Sequence, residues 1–208
     1  MTDDQLQSIK DDIAYMKALA QEGRQAPLLG GTILICAGLV FGLASVVHWA
    51  ILTGVLAVPK WWLSGVWLTA MVVFFVVLTV VSMRIGRRPG VRSVGNRASH
   101  AVWQAVGYSI FSLGLAMIAI QLSHPAFNSS LVFPSLILGL YGTGWAVSGT
   151  MAGQKWMGWV AMISWIAAPA VALLAGSPHQ YLAYAAALLA CTLFPGLKMV
   201  REEPSDVV

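Results

Sequence analysis

The residues able to do chemistry are few, and where they sit matters more than how many there are. Eight carboxylates are present (Asp3, Asp4, Asp11, Asp12, Glu22, Glu202, Glu203 and Asp206), all near the two ends of the chain. Between Gly23 and Arg201 there is no Asp or Glu. Membrane pumps usually carry protons on buried Asp or Glu, and hard cations need carboxylate oxygens. Hydrolysis commonly needs a general acid and a general base. A carboxylate-based pump, a calcium or magnesium site and a two-carboxylate hydrolase are therefore disfavoured. No His-Glu-x-x-His zinc motif, Walker phosphate loop or Gly-x-Ser-x-Gly elbow occurs either. The sequence calls for no catalytic residue and no cofactor, and the chain reads as a non-enzyme.

Imidazole is the remaining group that titrates near neutral pH and ligates borderline metals. His48, His124 and His179 fall at or beyond the same ends of three apolar segments, and His100 falls at the opposite end of one. Three converging imidazoles could hold zinc or copper, or sense pH. Histidines resting at a membrane interface would show the same placement, and no fixed ligand spacing argues for a metal. We expect no metal centre, with His48, His124 and His179 the set that would form one. Cys36 and Cys191 lie at similar depth; facing a reducing cytoplasm they read as small apolar packing residues.

The elements that position these groups follow from composition. Hydrophobic residues make up 58% and charged residues 10%, against about 45–50% and about 25% in soluble domains. That balance excludes a water-soluble globular protein and a disordered chain. A bilayer-crossing helix needs about 20 mainly apolar residues. Six segments qualify: 28–50, 61–83, 101–123, 131–150, 156–176 and 181–198. Each must be helical, because in lipid only a helix satisfies its own backbone hydrogen bonds. The expected fold is all-α, a polytopic membrane protein of six transmembrane helices spanning 27–198. Pro169 is expected to kink the fifth span, and Pro195-Gly196 to close the last. The segment beginning at Leu28 follows an acidic leader and is too long for a signal region, so it reads as a retained span.

Orientation follows from the cations. With the N-terminus inside, Lys10, Lys17, Arg24, Arg84, Arg87, Arg88, Arg92, Arg97, Lys155, Lys198 and Arg201 all lie inside, and Lys60 alone lies outside. Both termini are therefore expected in the cytoplasm. Trp49, Trp61 and Trp62 would mark the outer interface, and Trp103, Trp156 and Trp159 the inner one, as anchors and nothing more. Gln104 and Gln121, near the ends of the third span, could hydrogen-bond across helices.

Three cytoplasmic pieces remain. Residues 1–26 hold an amphipathic helix and linker, with Leu6, Ile9, Ile13, Met16 and Ala20 repeating at three- and four-residue intervals as one apolar seam. Five acids against two lysines argue for packing on protein rather than on anionic lipid. The partner is either a second copy or the basic loop 84–100, whose Gly86, Pro89, Gly90, Gly95 and Asn96 argue against regular structure. Its five arginines act at least as a topology determinant touching anionic lipid, and Arg87, Arg88 and Arg92 are the candidate docking residues. Nucleic acid is not an expected partner, since the loop is short and lacks stacking aromatics. A polar tail, 199–208, completes the cytoplasmic side.

Small residues carry the packing signal. Gly38 and Gly42 form a Gly-x-x-x-Gly pair on the first span, and Ser135, Gly139 and Thr143 form a stripe on the fourth. Such residues let helix backbones approach closely, within one chain or across a homo-oligomer.

Three stretches, Glu22-Gly23-Arg24-Gln25-Ala26-Pro27-Leu28-Leu29-Gly30-Gly31, Leu140-Tyr141-Gly142-Thr143-Gly144-Trp145 and Pro195-Gly196 through Val208, resemble uncharacterised small multi-span inner-membrane proteins of alphaproteobacteria. The resemblance implies a bacterial inner-membrane location and, because such proteins can be encoded beside winged-helix transcription regulators, a cytoplasmic partner. It carries no catalytic residue. The expected function is a non-catalytic interaction or sensory subunit, with a channel or facilitator for a neutral or small solute as the alternative. If the basic loop holds the acidic helix, neutralising Arg87, Arg88 and Arg92 to Gln loosens that helix and increases limited proteolysis around Gly23; unchanged cleavage rules the contact out.

Overall fold

The computed structural model describes residues 5, 7, 9–16, 28–86, 93–124, 126 and 128–203. Leu6, Arg87, Arg88, Arg92 and the tail beyond residue 203 lie outside them, as do the linker residues 17–27. Residues 9–16 are helical. Beyond them the described residues form seven α-helices and no strand: α1 Gly31–Leu52, α2 Trp62–Ile85, α3 Val94–Ser123, α4 Phe133–Ala152, α5 Lys155–Ala172, α6 His179–Leu188 and α7 Phe194–Glu202. A π-turn over Leu189–Leu193 joins α6 to α7, making one 24-residue rod.

Four of these rods are long and apolar enough to cross a membrane: α1, α2, α3 and the α6–α7 rod. In α4 and α5, glycine, serine and tryptophan dilute the aliphatic run.

Two boundaries differ from the sequence-based expectation for the same reason, an overlooked partner for a terminal group. The basic loop is shorter than 84–100, because α2 runs to Ile85 and α3 begins at Val94. Ser93 caps α3 by accepting from the Asn96 N–H, a serine three residues ahead of a polar side chain that marks a helix start. The Asn96 Oδ1 in turn accepts from the Leu29 N–H at 2.7 Å, tying the start of α1 to the start of α3. Likewise Pro195-Gly196 does not close the last helix, which continues to Glu202. Pro169 remains inside α5, three residues before its end.

The α6–α7 rod and α1 form the centre. Half of the rod's apolar window and 44% of that of α1 are buried by the chain's own packing, against 6% for α2 and 6% for α3. The two outer helices lie on different neighbours, α2 on α1 and α3 on α4. Their remaining surfaces show Leu68, Val72, Phe75 and Val76 on α2, and Phe111, Leu115, Ile118 and Leu122 on α3, all exposed. Faces of that kind do not belong in water. The α4–α5 hairpin turns at Gly153, whose φ of +67° favours glycine, and lies alongside the rod.

Glycine permits a close crossing of α1 and the rod. A Cβ on Gly31 would lie 2.7 Å from the Gly196 carbonyl oxygen, and one on Gly196 would lie 2.7 Å from that of Gly31. Gly38 meets Thr192 of the rod as closely, whereas a Cβ on Gly42 would meet nothing within 4 Å. Gly38 is thus used within the chain. Gly196→Ala should lower stability by about 1–3 kcal/mol through overpacking against backbone, and Gly42→Ala should leave it unchanged. Thermal unfolding in mild detergent checks both, and equal effects would contradict the crossing.

Candidate functional site

Contacts gather the polar and aromatic side chains at the two ends of the bundle. At one end meet the last turns of α1, the first turns of α2 and α6, and the short 3₁₀ turn Ser129–Leu131 before α4. His48 is buried there, its ring stacked on Tyr181 with centroids 3.5 Å apart. The Trp67 indole N–H donates to the His48 Nδ1 at 2.8 Å. Because an indole nitrogen only donates, Nδ1 must be the unprotonated nitrogen, which makes the ring the Nε2–H tautomer. Beside it Gln180 is fully buried, and its Nε2 donates to the Leu131 carbonyl at 2.6 Å while its Oε1 has no partner among the described residues.

The other histidines do not join this group. His124 is exposed and lies 3.0 Å from the Ser123 hydroxyl, and His179 is exposed at the start of α6. Among the described residues no three His, Cys, Asp or Glu side chains come together as a metal-holding group. The His48 ring ties α1 to α2 through its acceptor nitrogen and to α6 through its stacked face.

At the opposite end Trp145 of α4 is fully buried. Trp103 stands edge-on to it at 5.2 Å, Trp156 lies at 5.8 Å, and Tyr141 packs against Trp103. The Lys198 ammonium sits 4.4 Å over the Trp156 ring and pairs with Glu202 at 3.8 Å. Trp103 and Trp156 therefore pack inside the bundle, and the Trp156 Nε1 is buried without a partner among the described residues. Trp61, Trp62 and Trp159 stay exposed.

Trp145 also explains how the rod survives Pro195. Proline has no N–H to give to the carbonyl four residues back, that of Cys191. The Trp145 Nε1–H donates to that carbonyl at 2.8 Å, and the chain widens into a π-turn over the same residues. The sequence reading missed Trp145, Trp67, Tyr181 and Gln180. A tryptophan amid small residues, with a proline inside another span, was the signal for the first.

The remaining sequence candidates are dispersed. Among the described residues Ser135 has a buried Oγ without a partner, Gly139 meets nothing that a Cβ would touch, and the exposed Thr143 hydroxyl donates to the Gly139 carbonyl. Cys36 and Cys191 are both free thiols. Gln104 and Gln121 lie on the exposed side of α3. Ile9, Ile13 and Met16 are all exposed.

The fold and these two clusters define a helical bundle with several helices apolar enough to cross a membrane. Compared with family models, curated proteins and solved structures, the chain has no match.

Trp145→Phe removes the only side-chain donor described at the Cys191 carbonyl and should cost about 1–3 kcal/mol. In a Pro195→Ala background the new N–H can reach that carbonyl, so the same change should cost less. A double-mutant cycle on thermal stability checks the coupling, and equal costs in both backgrounds would refute it.

Proposed function

We propose that the protein is a bacterial inner-membrane subunit crossing the bilayer six times, with both termini in the cytoplasm. It acts without catalysis, as an interaction or sensory component. Helices α4 and α5 cross together with the four longer rods in this reading. The distribution of cations supports the orientation: Arg84, Arg97, Lys155, Lys198 and Arg201 belong to the Trp145 end, and Lys60 to the His48 end.

The observation that carries the functional reading is how the carboxylate-free body is filled. Leu138, Trp145, Leu188 and Cys191 are fully buried within it. The buried hydroxyls of Ser45, Ser164 and Thr192 each donate to the carbonyl four residues back in their own helix rather than to one another. A facilitator would need such groups turned toward a shared path. An interior built for packing leaves function to the cytoplasmic pieces: the N-terminal helix, the basic loop with Arg87, Arg88 and Arg92, and the C-terminal tail. These would meet a second copy or a cytosolic protein.

The test is purification of the intact protein in mild detergent, with and without residues 1–23. A stoichiometric partner, or self-association, that disappears on truncation is the expected result. A protein that binds nothing in either form while proteoliposomes conduct a neutral solute would favour the facilitator.

A further inference from the structure

Among the described residues, nothing covers the apolar seam of the N-terminal helix at Ile9, Ile13 and Met16. Ile9, Ile13 and Met16 are 46%, 55% and 60% exposed, on a helix that carries several charges. Isolated helices of this length are marginal in water, so a seam left open asks for a partner. We infer that this partner is the same helix of a second copy, paired in parallel as a short coiled coil on the cytoplasmic face. The inference rests on the interaction reading above and names its first partner.

Heptad position supports one pairing over the others. The spacing puts Leu6, Ile13 and Ala20 at a, and Ile9 and Met16 at d. Gln5 and Asp12 then occupy g, and Lys10 and Lys17 occupy e. In a parallel pair each g residue faces the e residue five positions on in the other helix. Asp12 of each copy thus meets the partner's Lys17, and Gln5 meets the partner's Lys10, twice over by symmetry. An antiparallel pair would bring e against e, lysine against lysine.

Membrane anchoring completes the argument. Two copies inserted in the same direction send their N-terminal helices out of the bilayer in the same direction, as a parallel pair requires. Confinement to one membrane raises the effective concentration of each helix for the other, which offsets a short seam. An anionic lipid surface is a poorer cover, because the flanking face carries Asp11 and Asp12. The acidic residues outside the seam remain available to the basic loop.

The test uses the full-length protein in mild detergent and in bilayer nanodiscs, with self-association read by light scattering and by co-purification of two differently tagged copies. Ile13→Asp should weaken association roughly tenfold or more, since it places a charge on the seam. Asp12→Lys alone and Lys17→Asp alone should each weaken it by about fivefold, because like charges then face across both g–e pairs. Co-expressed with each other, these two variants should recover the wild-type level, as every pair is again opposite in sign. Unchanged thermal unfolding of the bundle shows that the variants act outside it. The inference is overturned if the wild type is monomeric in the bilayer, if Ile13→Asp leaves association intact, or if the charge variants do not recover on mixing. A monomeric wild type whose residues 1–23 hold a cytosolic protein overturns the pairing and spares the interaction reading; a monomer that binds nothing overturns both.

Discussion

A backbone carbonyl inside an apolar bundle must find a donor, and at Cys191 the donor is the indole of Trp145. Pro195 cannot supply the usual N–H, and the helix answers by widening into a π-turn and accepting a hydrogen bond from α4. Much of the bundle is arranged around that bond. Trp145 must be fully buried to reach the rod, so Trp103 and Trp156 enclose it. The rod must in turn lie close to its neighbours, and Gly31 and Gly196 permit the approach to α1. Leaving a buried carbonyl unsatisfied costs about 1–3 kcal/mol, so one proline in the rod makes it depend on α4 and on the α3 and α5 tryptophans that enclose its indole.

The second constraint is electrostatic. With no carboxylate between Gly23 and Arg201, a charged group in the body would have no counter-ion there. The polar side chains that are buried are neutral, and several are held by carbonyls or by each other: Gln180 on Leu131, His48 under Trp67, and the hydroxyls of Ser45, Ser164 and Thr192 on their own helices. Such an interior suits a body whose parts fit together. Charge is left to the ends, where Lys198 rests on Trp156, and to the N-terminal helix with its exposed Asp11 and Asp12.

Local signals made the long apolar helices legible. The segments expected at 28–50 and 61–83 appear as Gly31–Leu52 and Trp62–Ile85, since a run of apolar residues in lipid has no alternative to a helix. Errors came where a residue's meaning depended on a distant partner. Pro195-Gly196 reads as a stop until Trp145 is known to cover the carbonyl that proline strands. Residues 94–100 read as loop until Ser93 is seen to cap them and Asn96 to hold Leu29. His48, His124 and His179 look equivalent by position, yet only His48 is drawn inward, by Trp67 and Tyr181.

Composition and periodicity alone determined that the chain is helical, apolar and free of interior acid, because those properties depend only on which side chains are present and how they repeat. Tertiary structure decided which tryptophans stay exposed and which pack, which histidine is buried, and which glycines are touched. Those outcomes depend on contacts between residues as far apart as 145 and 191, or 31 and 196, and no local pattern records what lies across an interface.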